Sequence, residues 1–129
     1  STVGHWKDLV AKAEKAFAVE GPAFLNVLAP CPRGWRVASD QTAEICRLAV
    51  DTKFWPLFEV EDGVWKLTPV KEKKLKPLEE FLKPQGRFKH LFKPGNEHII
   101  EEMKADVEAY WAYLEGRVEG SKDAKSPIE

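Results

Sequence analysis

From His5 to Val19 the apolar residues Trp6, Leu9, Val10, Ala13, Ala16 and Phe17 recur at offsets of three and four, while Lys7, Asp8, Lys12, Glu14 and Lys15 take the remaining positions. That spacing predicts a helix with one apolar stripe. Glu20-Gly21-Pro22 predicts its end, since glycine accepts the left-handed backbone after a helix and proline cannot extend the amide ladder. The next run, Ala23 to Ala29, carries Phe24, Leu25, Val27 and Leu28 on both alternating faces. It reads as a strand covered on each side, as in a parallel sheet. The other good strand candidates are Leu57 to Glu61 and Val64 to Thr68. Asp62-Gly63 between them has the residues of a type I′ turn and predicts a small antiparallel hairpin, with Pro56 and Pro69 at edge-strand ends. The sheet that the 23–29 strand requires is therefore incomplete within these residues.

After a loop from Pro30 to Val37, Ser39 is the expected N-cap of a helix reaching about Thr52, with Asp40 in its first turn and Ile45, Leu48 and Ala49 on its apolar face. Lys71, Lys73, Lys74 and Lys76 mark a solvated connection, and Pro77 opens a short helix carrying Leu78, Phe81 and Leu82, stopped by Pro84 and Gly86. Asn96 is then placed to cap a long helix, expected to dock firmly, in which Ile99, Ile100, Met103, Val107, Tyr110, Trp111 and Leu114 recur at helical spacing. The expected architecture is α/β, with one buried parallel strand, a small antiparallel hairpin and about four helices in a domain over 1–119. A mobile tail is expected over 120–129.

Composition adds bounds. With 43% hydrophobic and 32% charged positions in 129 residues, one globular domain is expected and collagenous or low-complexity chains are excluded. Twenty Lys and Arg against 21 Asp and Glu create no global field for polyanions. The longest apolar run, Pro22 to Pro32, falls far short of the roughly 20 residues of a membrane span, and no signal segment opens the chain. A cytoplasmic protein without a membrane partner is the expectation. Its two cysteines, Cys31 and Cys46, are read as reduced thiols, too few to hold a metal centre alone.

The densest cluster of unusual residues is Pro30-Cys31-Pro32-Arg33-Gly34-Trp35-Arg36, at the carboxyl end of the apolar run, where open α/β sheets usually place ligands. Two prolines stiffen the backbone around Cys31, Gly34 permits a bend, and Arg33 and Arg36 bring positive potential to an anionic centre. The competing reading makes Cys31 a small buried apolar residue. Cys46, inside the expected helix, reads as packing.

These residues also carry a likeness. L-A-P-C-P-R-G-W (28–35), T-A-E-I-C-R-L-A-V (42–50), F-W-P-L-F-E-V-E-D-G-V-W-K-L-T (54–68) and L-K-P-L-E-E-F-L-K-P-Q-G-R-F-K-H-L (75–91) resemble the C-terminal part of the β subunit of pyruvate and related 2-oxoacid:ferredoxin oxidoreductases, from about Trp6 to Leu114. The resemblance implies a thiamine-diphosphate-binding type of α/β fold and a place in an enzyme that oxidatively decarboxylates a 2-oxoacid. That enzyme makes an acyl-CoA and passes electrons through a [4Fe-4S] cluster to ferredoxin. Three cluster cysteines of such a subunit lie in its N-terminal half and a fourth in the A-P-C-P loop, so the likeness implies that Cys31 is that fourth ligand. The C-x-x-C pair and the G-D-G-type segment that places Mg²⁺ and the diphosphate are absent from these 129 residues. The expected partners are therefore the remaining β-subunit segment, other oxidoreductase subunits and ferredoxin, with 2-oxoacid and CoA at the assembled enzyme. The chain is expected to be inactive alone, and no catalytic residue is assigned to it. Backbone N–H groups of Arg33, Gly34 and Trp35 could donate to cluster sulfurs, with the Trp35 ring screening water or simply packing.

Two rivals stay open. One is a non-catalytic interaction module with Cys31 buried. The other is a single-stranded nucleic-acid surface, since Lys71 to Lys93 holds eight Lys or Arg against three acids, with Phe81, Phe88 and Phe92 interleaved. The same basic stretch could dock an acidic ferredoxin. His5, His90 and His98 do not form an H-E-x-x-H pattern, and the acidic last helix reads as a solvated face.

Overall fold

Ile45, Leu48 and Ala49 recur at offsets of three and four, and this puts them on one side of a helix that meets Leu78, Phe81 and Leu82. Leu91 and Ile100 complete this core, with Leu28, Trp35, Val37, Phe54 and Trp55 among the residues at its edge. A computed structural model describes residues 1–122. In chain order its elements are α1 (Trp6–Ala18), α2 (Pro32–Trp35), α3 (Thr42–Asp51), β1 (Leu57–Glu61), β2 (Val64–Thr68), α4 (Leu78–Leu82) and α5 (Glu97–Gly120). Turns of 3-10 helix lie at Ser39–Gln41, Glu72–Lys74 and Gly86–Phe92. Phe81 is fully buried against the ring of Phe54, 4.7 Å between centroids, and edge-on to Trp35 at 6.4 Å. Burying each such side chain contributes about 1.5–3 kcal/mol, so this contact layer is the main source of stability.

The helix expected from Ser39 begins three residues later. Ser39–Gln41 winds as a 3-10 turn, and the Thr42 hydroxyl donates to the Ser39 carbonyl at 2.9 Å, so Ser39 supplies an acceptor rather than a side-chain cap. At the other end the Thr52 hydroxyl donates to the Leu48 carbonyl at 2.7 Å. The hairpin forms in the expected register, Leu57 opposite Thr68 and Glu61 opposite Val64. Asp62 and Gly63 have φ of 50° and 79°, the two positive values that a type I′ turn demands.

The long helix spends part of its apolar side within the chain, while Tyr110 is exposed. Ile100, Trp111 and Leu114 are buried, the Trp111 indole donates to the Lys53 carbonyl at 2.7 Å, and the Arg117 guanidinium lies 4.9 Å from the Trp65 ring centroid. Asn96 precedes α5 without capping it; its side-chain amide donates to the His90 carbonyl, and the Glu97 carboxylate instead accepts from the Gly95 N–H. Of the tail expected over 120–129, Gly120 ends α5 and Ser121 is buried, its hydroxyl oxygen accepting from the Trp65 N–H at 2.9 Å. Residues 123–129 lie outside the described residues.

The amino-terminal part departs most from expectation. The helix α1 forms as its spacing predicts, but only Leu9, Ala13 and Ala16 of its apolar stripe are half-buried; Trp6 is 64% and Phe17 91% exposed, and the buried residue is Lys12, ion-paired with Asp8 at 3.0 Å. The buried strand expected over 23–29 is an extended segment with a single parallel bridge, Leu28 beside Thr2, and with Phe24 87% exposed. A strand needs neighbours to satisfy its amides and cover its faces, and among the described residues only Ser1 to Val3 run alongside.

The Nδ1 of His5 lies 2.9 Å from the hydroxyl of buried Thr2, and burial lowers the pKa of His5 below its usual 6.5, although Asp51 and Asp8 pull the other way. The folded state therefore prefers neutral His5. Stability from this site is complete above about pH 6.5 and is lost as pH falls through the lower folded value, where the unfolded chain takes the proton first. Urea midpoints measured between pH 7 and 5 should fall, and fall less steeply in His5→Gln. Equal slopes would exclude His5 as the cause.

Candidate metal centre

Pro30 is buried and Cys31, the next residue, is exposed. Pro32 fixes φ at the first position of α2, where its missing N–H costs nothing, and Cys31 stands at the N-cap with extended backbone (φ −89°, ψ 109°). The Gly34 N–H donates to Cys31 Sγ at 3.3 Å, and the Trp35 N–H donates to the Cys31 carbonyl at 2.8 Å. A Cβ at position 34 would sit 3.4 Å from the sulfur, so glycine there keeps that side of the sulfur open. The turn closes through Arg36, whose φ of 55° is left-handed and whose carbonyl accepts the Gly86 N–H at 3.1 Å. A non-glycine residue in that region costs about 1–2 kcal/mol, so tertiary contacts hold the turn in this shape.

The two thiols have opposite settings. Cys46 is fully buried on α3 and its Sγ donates to the Leu28 carbonyl at 3.6 Å, which ties the extended segment to the core. Both cysteines are free. Of the three backbone donors expected near Cys31, Gly34 points at the cysteine's own sulfur, while Trp35 spends its N–H on the turn. The Trp35 ring is half-buried against Phe81, a packing role.

Arg33 is exposed, and Arg36 lines an open groove of about 430 Å³ with Lys83, Pro84, Gly86, Lys89 and Phe92. Within the basic stretch, Phe81 is fully buried in the core and has no face to offer a nucleic-acid base. The histidines stay apart: His5 faces Thr2, and His98 Nδ1 lies 3.1 Å from the Gly95 carbonyl. Among the described residues no three His, Cys, Asp or Glu side chains converge as a metal site. No helix there is long and apolar enough to cross a membrane.

One group beside the turn escaped sequence reasoning. The guanidinium of Arg87 lies 3.7 Å from the Trp35 ring centroid and 4.5 Å from that of Phe88, and its Nε donates to the side-chain oxygen of fully buried Gln85 at 2.9 Å. In the sequence Arg87 counted only as one of eight basic residues. The Q-G-R order after Pro84 was the available signal, but nothing in it specifies contact with residues fifty positions earlier.

The turn thus offers one accessible sulfur with a backbone donor already directed at it. This fits a single ligand of a thiolate-bound centre whose other donors come from elsewhere. The same absence of converging carboxylates among the described residues offers no set of oxygen ligands for Mg²⁺.

No family model matches the chain. It is 49% identical over 117 residues to the pyruvate synthase subunit PorB of Thermotoga maritima, an alignment covering 90% of this chain and 36% of that protein. It is 43% identical over 131 residues to PorB of Pyrococcus horikoshii, covering 88% and 39%. The ketoisovalerate oxidoreductase subunit VorB of Pyrococcus abyssi is 49% identical over 115 residues, covering 88% and 36%. The chain spans little more than a third of the length of the curated relatives it matches.

Proposed function

Because the chain is a homologue of the PorB and VorB subunits, matching a C-terminal part of a β subunit, we propose that it works as that part of a 2-oxoacid:ferredoxin oxidoreductase. In this reading the assembled enzyme oxidatively decarboxylates a 2-oxoacid to acyl-CoA and CO₂ and passes electrons to ferredoxin. The relatives' names divide between pyruvate synthase and ketoisovalerate oxidoreductase, so the substrate is assigned by class, as a 2-oxoacid. Cys31 is the ligand this chain contributes to a [4Fe-4S] cluster, a one-electron carrier when bound. Thiamine diphosphate and Mg²⁺ belong to the rest of the enzyme. The chain by itself carries no catalysis, and its place is the cytoplasm.

The likeness to PorB and VorB carries the enzyme class, and the contrast between the two thiols carries the choice of Cys31. Cys31 is exposed on a proline-stiffened turn, so ligation costs little conformational entropy, and the Gly34 N–H donates to its sulfur. Cys46 has no such access. The outward apolar residues Trp6, Val10, Phe17, Phe24 and Leu25 support a second element of the proposal, that α1 and the extended segment pack against the rest of the subunit. The same segment would there gain the strand neighbours it lacks.

The test is reconstitution of the chain with the complementary β-subunit segment, followed by iron and acid-labile sulfide analysis and visible absorbance. Cys31→Ser should abolish the brown chromophore, whereas Cys46→Ser, which keeps a donor for the Leu28 carbonyl, should leave it intact. A full complement of iron and sulfide in Cys31→Ser would overturn the assignment.

A further inference from the structure

We propose that Gln85, Gly86 and Arg87 form a clamp that positions the Cys31 turn, and that the Arg87 charge raises the reduction potential of the centre Cys31 ligates; this rests on the cluster reading of Cys31. The clamp engages the turn at two successive residues. Gly86 takes the Arg36 carbonyl with its N–H at 3.1 Å and packs so closely that a Cβ there would fall 2.7 Å from the Arg36 Cβ. Arg87 covers Trp35, whose own N–H closes the helical turn on the Cys31 carbonyl. Gln85 anchors both from below. It is fully buried, its side-chain amide donates to the Phe81 carbonyl, its side-chain oxygen holds Arg87 Nε, and its backbone N–H donates to the Leu82 carbonyl at 3.1 Å. The left-handed Arg36 would relax without this support.

The charge argument follows from what Arg87 lacks. Among the described residues only its Nε is hydrogen-bonded, and no carboxylate lies within ion-pair distance of it. Its plane is fixed by Trp35, Phe88 and Gln85, while Arg33 on the same turn extends into solvent, where water screens it. A cation held on the ring of Trp35, four residues along the turn from Cys31, favours the reduced state of a centre that becomes more negative on reduction. Arg87 is a positioning residue in this scheme, because it touches the turn and not the reacting atoms.

The experiment compares midpoint potentials and electron paramagnetic resonance line shapes of the reconstituted complex carrying Arg87→Met, Arg87→Lys or Lys89→Met, each loaded with cluster. Arg87→Met should retain the cluster but shift its potential to more negative values, lowering the reduced-to-oxidised ratio at fixed poise by about fivefold, the effect of one charge seen through partly screened protein. Arg87→Lys keeps the charge without the planar stack and should restore most of the potential with an altered line shape. Lys89→Met, exposed two residues on, should match the unsubstituted protein. If Arg87→Met does not accumulate, Arg87→Gln takes its place as the neutral polar variant. An unchanged potential in the neutral variant, or equal shifts in the neutral and lysine variants, overturns the proposal. Retention of cluster in Cys31→Ser would instead overturn the reading beneath it, so the two failures are distinct.

Discussion

Phe81→Ala should lower the unfolding free energy by about 3–5 kcal/mol, seen as a large drop in urea midpoint with little change in slope. Phe81 has no exposed surface, stacks on Phe54 at 4.7 Å and meets Trp35 edge-on, and it sits where α3, α4 and the Cys31 turn converge. Removing its ring loses the transfer energy of the buried surface and leaves a cavity that three elements must close together. Because Trp35 loses a contact too, the same substitution should loosen the turn and, on the proposed role of Cys31, weaken cluster uptake on reconstitution. Phe17→Ser supplies the contrast. The ring of Phe17 is 91% exposed, so the stability of the free chain should change by no more than about 0.5 kcal/mol. A comparable loss in both variants would mean that α1 is buried in solution.

Gly4→Ala is the second large effect. An added Cβ would lie 2.6 Å from the Cys46 Cβ and 2.7 Å from the Ala43 carbonyl oxygen, both fixed parts of α3. Neither neighbour is the free end of a flexible side chain, so the amino-terminal segment must move away from the helix, at a cost of about 2–3 kcal/mol. The displacement takes with it the bridge between Thr2 and Leu28 and the indole hydrogen bond from Trp55 to the Ser1 carbonyl. Gly116→Ala runs the other way. Nothing lies within 4 Å of a Cβ at that position on α5, and alanine in a helix interior gains about 0.5–1 kcal/mol over glycine. Differential scanning calorimetry on the pair should show melting temperatures on opposite sides of the parent. Two shifts of the same sign would refute the packing drawn at Gly4.

The local elements were legible because short-range rules decide them. Asp62-Gly63 encodes its turn through two residues that tolerate positive φ, and Ile45, Leu48 and Ala49 encode α3 through their spacing. Cys31 was legible as a candidate because prolines, glycine and arginines crowd one cysteine, and the structure shows Pro32 opening α2 and the Gly34 N–H donating to the Cys31 sulfur. The same rules failed where the partner of a surface mattered. Periodicity made α1 amphipathic, yet it could not say that Lys12 would be the buried residue and Phe17 the most exposed. The run 23–29 has the composition of a covered strand, but covering is a property of neighbours.

By itself, then, the sequence determined α1, α3, α4 and α5, where the hairpin reverses, and that one cysteine sits among prolines, since each depends on backbone preferences acting over a few residues; the helical turn Pro32–Trp35, expected as loop, it did not. Only the tertiary structure decided that Cys46 is sealed and Cys31 open, that Gln85, Gly86 and Arg87 grip Trp35 and Arg36, and that an apolar face remains uncovered. Those outcomes depend on contacts between segments far apart in the chain, and no local propensity specifies which distant surfaces will meet.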